Sequence, residues 1–153
     1  MAICTVRETP NHTLEFSEDQ QEWGHKWDGN KVFYSLEYDN ECPLISTRKM
    51  RKAINLAMST WNFEIPIKIK SLYRNYDNAD IKIMFRKKDD DDIFRERDGV
   101  LAYAYFPKTS KQGQIVFNLD KIWSVDGDGV KASEAIRLGI IENASNPDSS
   151  IRT

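Results

Sequence analysis

The sequence ADIKIMF, residues 79–85, decides the fold of this 153-residue chain. Its large apolar side chains Ile81, Ile83 and Phe85 alternate with a lysine and a methionine. A period of two residues is typical of a β-strand with one face in a protein core. The stretch therefore predicts a strand, and an acidic run at residues 89–92 follows it.

Two further strands are predicted on the carboxyl side of this one. DGVLAYAYFP (98–107) begins with a turn and then alternates, so that Leu101, Tyr103 and Tyr105 are predicted on one side and two alanines on the other. After a polar link, IVFNLDKIW (115–123) predicts a third short strand.

Upstream, the strongest pattern is that of an amphipathic helix over residues 48–61, with Ser46 or Thr47 as its cap. Alternating residues predict strands over 31–38 and 65–73, and a second helix is predicted over 129–143. Two helices on a twisted, mostly parallel sheet of about five strands make an α+β fold.

Composition limits the classes of partner. A net charge of −2 with mixed basic and acidic residues predicts neither nucleic-acid nor membrane binding, and protein partners are the expectation. The chain shows no secretory signal and no apolar run of membrane-spanning length, so it is expected in the cytoplasm or in an assembled particle. Residues 1–22 are polar and predict an N-terminal arm or tail. Cys4 and Cys42 are predicted to be free thiols.

The order ADI-x-I-x-F, DG-x-LA-x-A, glycine and F-x-x-x-x-x-W resembles the matrixin branch of the metzincin zinc peptidases. The resemblance implies a matrixin-like domain over residues 23–153. It also implies a domain that is truncated at its C-terminal end, because Ile151 stands where the family has the methionine that precedes a closing helix.

The resemblance also implies where a catalytic zinc site would be. The family needs H-E-x-x-H-x-x-G-x-x-H, in which three histidines bind zinc and the glutamate acts on the zinc-bound water. At the matching helix this chain has Ser133 and Arg137 in place of the first two histidines, with Glu134 at the general-base position. The only histidines are His12 and His25. No zinc and no catalysis are predicted, and Glu134 is expected to be inert.

The family's second zinc site matches Asp90, Asp92, Tyr103 and Val116 in this sequence. This set contains two carboxylates, but none of the family's histidine nitrogen ligands. Tyr103 and Val116 are therefore predicted to fill the former metal position, with the tyrosine hydroxyl reaching the acidic loop. Without a cation, four neighbouring carboxylates repel one another, and the loop is expected to be loose.

Calcium is the remaining candidate cofactor, with Asp90 and Asp92 as weak candidate ligands. The family's calcium-binding aspartate and glutamate are replaced by Asn118 and Lys121, and a lysine repels a cation. A solvated acidic loop is the alternative interpretation, and the overall prediction is that no cofactor binds.

These observations predict a catalytically inactive matrixin-like domain that serves as a structural or protein-interaction module, within a larger assembly such as a virus particle. The alternative is an inactive regulator or fragment of a matrixin-type protease, which would bind peptide along an edge strand. A hydrolase with another set of catalytic residues has no support, because no nucleophile is placed beside a base.

Overall fold

The computed structural model describes residues 3–8, 14–18, 27–37, 45–72, 76–124 and 130–131. Among them, no helix combines the length and the apolar character needed to cross a membrane. The strands and α-helices, in chain order, are β1 (Ile3–Glu8), β2 (Leu14–Glu18), β3 (Lys31–Leu36), α1 (Thr47–Glu64), β4 (Lys68–Ser71), β5 (Ile81–Arg86), α2 (Asp92–Glu96), β6 (Val100–Tyr105), β7 (Gln114–Asn118), β8 (Trp123–Ser124) and β9 (Val130–Lys131).

A mixed sheet with the strand order β2-β1-β6-β7-β5-β3-β4 forms the centre of the molecule. The pairs β4–β3, β3–β5 and β5–β7 are parallel, whereas the pairs β7–β6, β6–β1 and β1–β2 are antiparallel. The predicted α+β class is confirmed. Within the described residues the sheet has seven strands rather than about five, and antiparallel pairing makes up one side of it.

The two additional strands lie in the segment that the sequence predicts to be an arm or tail. β1 and β2 form a hairpin, and β1 pairs with β6. Sequence periodicity missed the hairpin because its few apolar residues show no regular alternation, and its position depends on pairing with a strand about a hundred residues away. The Cys4 side chain and Cys42 lie outside the described residues, so the free-thiol prediction stays a prediction.

Helix α1 forms largely as its sequence predicts. The Ser46 hydroxyl accepts a hydrogen bond from the Lys49 backbone N–H, which selects Ser46 over Thr47 as the cap. The buried side chains lie on one face, at Met50, Ala53, Ile54, Ala57, Met58 and Trp61. The helix ends at Glu64, just before Pro66, which cannot continue a helix.

The main core lies between α1 and one face of the sheet. It includes Ile81, Ile83 and Phe85 of β5, which are at most 1% exposed, so the predicted buried face of this strand is correct. Met84 on the opposite side is also buried, in a second core cluster on the other face of the sheet. The central strand therefore has apolar contacts on both faces.

Strand β6 departs from the predicted alternation. Its pairing with β1 skips Leu101, because Val6 lies opposite Ala102 and Arg7 opposite Val100. This β-bulge puts Leu101 in the main core, whereas the two predicted neighbours Tyr103 and Tyr105 lie in the second core. A period of two residues could not indicate the extra residue.

The helix predicted over residues 129–143 is wrong at Val130–Lys131, which form strand β9 beside β8. The remainder of that prediction lies outside the described residues. The second α-helix that the structure describes is α2, which lies inside the acidic loop and was not predicted.

Gly113 allows β7 to begin beside β5. Its φ is +79°, and a Cβ at this position would overlap the Asp80 carbonyl oxygen and lie 2.9 Å from Cη2 of Trp27. Only glycine fits both the left-handed backbone and this close approach. The contact aligns β7 with β5, which it pairs from Lys82 to Arg86.

Candidate functional site

The region that the sequence singles out as a former metal site is the second core cluster, together with the loop of residues 87–99 that covers it. Tyr103 and Val116 are directly opposed across β6 and β7. They are 5% and 2% exposed, and the aromatic rings of Phe94 and Tyr105 pack edge-on against the Tyr103 ring. The two predicted residues therefore lie together inside an apolar cluster.

The Tyr103 hydroxyl donates a hydrogen bond to Asp91 Oδ2 at 2.5 Å. Oδ1 of the same carboxylate accepts the backbone N–H of Phe94 at 3.1 Å and so caps α2. Each oxygen of Asp91 thus already has a donor from the protein. The acidic residue that contacts Tyr103 is Asp91, and not Asp90 or Asp92.

Asp90 and Asp92, the predicted metal-site carboxylates, are exposed at the surface of the loop. Asp92 forms an ion pair with Arg95 one helical turn later. Arg95 also donates a hydrogen bond to the Asp89 carbonyl oxygen at 2.9 Å, so its side chain connects α2 to the start of the acidic run. The structure does not bring Asp90 and Asp92 together with Tyr103 and Val116.

The environment of Tyr103 favours its neutral form. Burial raises the pKa of its hydroxyl well above the usual value of about 10, and the hydrogen bond to Asp91 raises this pKa further. A deprotonated Tyr103 would place two negative oxygens against each other in a buried position. Tyr103 is therefore a hydrogen-bond donor at neutral pH.

Asn118, which replaces the family's calcium-binding aspartate, is buried and links three segments. Its side-chain Nδ2 donates to the Val100 carbonyl oxygen at 3.2 Å, and its Oδ1 accepts the Asp120 N–H at 3.0 Å. Its backbone carbonyl oxygen accepts the indole N–H of Trp123 at 2.8 Å. The first of these contacts needs an amide, because a carboxylate at neutral pH has no proton to donate.

The loop after β5 is also attached to the loop after β7. Asp120 Oδ2 accepts the backbone N–H of Lys88 at 2.7 Å, and the Leu119 N–H donates to the Arg86 carbonyl oxygen at 2.8 Å. The loop expected to be loose is instead folded into a 3₁₀ turn (Lys88–Asp90) and α2, with hydrogen bonds at both ends. Repulsion among the carboxylates is offset because Asp91 and Asp92 each have a donor.

A half-buried ion pair lies at the border of this cluster. Arg86 contacts Glu37 through both ends of its guanidinium, at 2.6 and 3.2 Å, and joins the ends of β5 and β3. Burial, followed by the negative charge of Glu37, raises the pKa of nearby Tyr76 to about 12. At this border of the cluster, the charges of Arg86 and Glu37 are paired with each other.

Comparison with known proteins now decides the family. The matrixin family model matches residues 26–142, which is most of the chain. The chain belongs to the matrixin family. It is 30% identical over 112 residues to karilysin of Tannerella forsythia, 28% identical over 105 residues to stromelysin-3 of Xenopus laevis, and 30% identical over 110 residues to metalloendoproteinase 4-MMP of Arabidopsis thaliana.

These alignments cover 70%, 67% and 71% of this chain but only 23%, 21% and 31% of the three relatives. The chain therefore spans less than a third of the length of each of these matrixins. The name of one of these relatives, metalloendoproteinase 4-MMP, describes an endoproteinase.

The positions that would carry matrixin catalysis, Ser133, Glu134 and Arg137, lie outside the described residues. Within the part of the chain that the structure does describe, no three histidine, cysteine, aspartate or glutamate side chains are grouped closely enough to hold a metal ion. The calcium prediction for Asp90 and Asp92 stays untested.

Sequence reasoning missed Asp91 as the residue that connects the acidic loop to Tyr103. A signal was present, since an aspartate directly before a helical segment is a typical helix N-cap. The signal was hidden because α2 has only five residues, and Asp91 lies inside a run of four identical side chains. Neither the pattern nor the resemblance distinguishes one aspartate of such a run from the next.

Proposed function

We propose that this matrixin domain has lost metal-dependent peptidase activity and serves as a structural or protein-interaction module. The observation that carries the proposal is the Tyr103–Asp91 hydrogen bond, because Tyr103 and its cross-strand neighbour Val116 match ligand positions of the family's second metal site. A buried cluster that satisfies its own polar groups has no need of an ion to hold the loop in place.

The donor set supports the absence of a second zinc. Zinc in proteins is bound by thiolate, imidazole and carboxylate groups, usually four around one ion. Val116 supplies no donor atom, and both oxygens of Asp91 already accept hydrogen bonds. Tyr103 is held in its neutral form, so its hydroxyl is a poor ligand. These residues do not fit a zinc ion.

The sequence supports the absence of the catalytic zinc independently. Arg137 at a ligand position carries a positive charge that it does not lose in proteins, and it would repel zinc. Without a zinc-bound water, Glu134 has no activated proton to accept. Calcium is the remaining candidate cofactor, because the exposed Asp90 carboxylate has oxygen atoms that can bind a cation.

A protein partner is part of the proposal, with this domain as one subunit of a larger assembly such as a virus particle. Phe63 and Leu56, seven residues apart on α1, are 90% and 64% exposed. Residues at this spacing share one side of a helix, and this side of α1 is where we propose that a partner contacts the domain.

The second candidate function is an inactive regulator that binds peptide along an edge strand. One strand that could receive such a peptide, β6, is already paired on both sides, with β7 and with β1. A regulator would therefore need another edge or would have to displace β1. The structural or interaction module is favoured because it requires neither.

The test is metal analysis and peptidase assay of the full chain, purified without chelators and then supplied with zinc. We expect zinc far below one ion per chain and no cleavage of a broad peptide library, and Glu134→Ala should leave both measurements unchanged. One bound zinc per chain, together with cleavage that Glu134→Ala abolishes, would contradict the proposal. Copurification of the chain with a defined protein partner, lost on Phe63→Ser but kept on Ser59→Ala, would support the interaction role.

A further inference from the structure

Strand β4 lies at one end of the seven-stranded sheet, beside β3. In the part of the chain that the structure describes, no strand pairs with its other side. A strand in this position exposes a row of backbone N–H and C=O groups, with which a strand of another molecule can pair. The outer side of β4 is therefore a place where a second copy of the chain could extend the sheet.

The backbone groups of Ile69 lie on this outer side. The N–H groups of Lys68 and Leu72 donate to carbonyl oxygens on the side of β3, each at 2.8 Å. Successive residues of a strand direct their backbone groups to opposite sides. Ile69, which directly follows Lys68, therefore has its N–H and C=O groups directed away from β3.

Asn62, in the last turn of α1, forms hydrogen bonds with both of these groups. Its Nδ2 donates to the Ile69 carbonyl oxygen at 3.0 Å, and its Oδ1 accepts the Ile69 N–H at 2.7 Å. A side-chain amide carries the same kinds of donor and acceptor as a peptide group, so Asn62 bonds to Ile69 as a residue of a neighbouring strand would. Because β4 has only four residues, Asn62 occupies the centre of its outer side.

The residues that hold this contact in place belong to the main core. Trp61, which precedes Asn62, and Ile69 are each 5% exposed in that core. The Ile65 N–H donates to the Trp61 carbonyl oxygen at 3.1 Å and so fixes the end of α1. The amide therefore lies between two elements whose positions are determined by packing.

Charged side chains on β4 oppose pairing with a second copy. Lys68 and Lys70 flank Ile69, and both are exposed. If two copies paired antiparallel with Ile69 opposite Ile69, each Lys68 would lie opposite Lys70 of the other copy. Like charges directly opposite each other destabilise a strand pair, and lysine on an edge strand is a common protection against such pairing.

We infer that Asn62 closes the β4 edge of the sheet to a second copy of this chain, and that Lys68 and Lys70 add to the closure by repulsion. The occupant that Asn62 excludes is β4 of the second copy, paired antiparallel with Ile69 opposite Ile69. The inference goes beyond the proposed function, because it assigns a surface that the domain keeps out of contact with copies of itself. It uses no property of the former metal site.

Sedimentation velocity of the full chain at several concentrations tests the inference. The dimer dissociation constant of Asn62→Ala should be at least about tenfold lower than that of the wild type, because the two freed backbone groups gain partners in the dimer. Thr60→Ala is the matched control, since it removes a hydrogen bond from α1 to the Leu56 carbonyl oxygen but leaves the β4 edge closed. This control should associate like the wild type. Equal association of the wild type and Asn62→Ala would overturn the inference.

A charge reversal tests the pairing itself. In a double variant with Asn62→Ala, Lys68→Glu places each glutamate opposite Lys70 of the other copy, so the dimer should be at least about threefold tighter at low salt than with Asn62→Ala alone. When Asn62 is present, Lys68→Glu should leave association within about twofold of the wild type, because the edge stays closed. A double variant that associates no more tightly than Asn62→Ala would show that the dimer contact is not the β4 edge and would also overturn the inference.

A measurement on the unaltered protein covers the case in which Asn62→Ala does not fold. The Ile69 amide should exchange its hydrogen within about tenfold of the rate of the Lys68 amide, because Asn62 takes the place of a neighbouring strand. Much faster exchange at Ile69 would show that the edge is open in the wild type, contrary to the inference.

Asn62→Asp provides a second variant at the same position. It keeps an acceptor for the Ile69 N–H but has no donor for the Ile69 carbonyl oxygen at neutral pH. Its association should therefore lie between that of the wild type and that of Asn62→Ala. If both variants lowered the free energy of unfolding and left association unchanged, Asn62 would only attach α1 to β4, and the inference would fail.

Discussion

Individual polar side chains beside the second core hold the surrounding loops in place. Asp91 connects α2 to β6 through Tyr103, and Asn118 connects β7 to the beginning of β6 through the Val100 carbonyl oxygen. In each contact, a group that carries a proton donates a hydrogen bond to a group that has none. The neutral Tyr103 hydroxyl donates to a carboxylate, and the Asn118 amide N–H donates to a carbonyl oxygen. At the residue scale, hydrogen bonds within the protein connect the loops after β5 and β7 to β6.

Replacing Asn118 with aspartate tests this account directly. Asn118→Asp removes the donor to the Val100 carbonyl oxygen and places a buried carboxylate against it, so the free energy of unfolding should fall by about 1 to 3 kcal/mol. Urea denaturation with and without calcium measures the change. Asp120→Asn, at an exposed neighbour, should have a smaller effect. Stabilisation of the unaltered protein by calcium would show that its own residues bind an ion and would contradict the metal-free proposal.

A comparison of two glycines with the same φ distinguishes the loss of stability caused by backbone strain from the loss caused by steric overlap. Gly113 and Gly99 both have φ +79°, but a Cβ on Gly99 meets nothing within 4 Å, whereas one on Gly113 meets Asp80 and Trp27. Gly99→Ala should lower the free energy of unfolding by about 1 to 2 kcal/mol from backbone strain. Gly113→Ala should lower it by clearly more, because β7 must move away from β5. Equal losses in thermal or urea unfolding would mean that the contact at Gly113 relaxes easily.

At the scale of elements, local patterns predicted those strands and helices that one buried face defines. α1 shows this most clearly, since its cap, its apolar stripe and its end at Pro66 are all local features. β6 and the hairpin show the opposite case. Both faces of β6 are buried and it contains a bulge, and the hairpin depends on a distant partner.

The central strand allows a paired test of register. Ile83 is 0% exposed in the main core, so Ile83→Ala should lower the free energy of unfolding by about 2 to 5 kcal/mol. The adjacent Lys82 is half-buried, with its Nζ 5.6 Å from the centre of the Tyr76 ring, so Lys82→Ala should cost about 1 kcal/mol or less. Chemical denaturation of both variants measures the difference. Losses of similar size would mean that β5 does not have this register.

At the scale of the whole molecule, the two faces of the sheet carry different kinds of core. The main core, under α1, is almost entirely apolar, whereas the second core contains two tyrosines and borders the Arg86–Glu37 ion pair. Burial raises the pKa of Tyr34, Tyr76 and Tyr103, so the folded state holds protons that the unfolded chain releases in alkaline solution.

Stability should therefore decrease in alkaline solution. The unfolded tyrosines lose their protons near pH 10, whereas Tyr76 in the folded state does so at about 12 and Tyr103 has its pKa raised further, so the folded state binds more protons. The contribution is complete below pH 10 and is lost as the pH rises above it. Each tyrosine can add a slope of up to about 1.4 kcal/mol per pH unit.

The variant Tyr103→Phe isolates the contribution of Tyr103 to this dependence of stability on pH. Near neutral pH the variant should be less stable than the wild type by about 1.5 to 3 kcal/mol, because a hydrogen bond to a charged group is lost. Between pH 10 and 11.5 this difference should shrink, since the variant lacks one of the titrating groups. Urea denaturation at several pH values measures both curves. Curves that stay parallel across this range would show that the Tyr103 pKa is not raised by folding.

The sequence by itself determined the α+β class, helix α1 with its buried face, the strand at ADIKIMF and the membership in the matrixin scaffold, because these follow from local periodicity and from short motifs in order. It also singled out Tyr103 and Val116. The tertiary structure decided that Asp91 rather than its neighbours bonds to Tyr103, that Leu101 bulges, that Asn118 connects three segments and that an N-terminal strand covers β6. The physical reason is that backbone pairing and buried hydrogen bonds select partners by position in space, and residues of identical type, such as the four aspartates, differ only there.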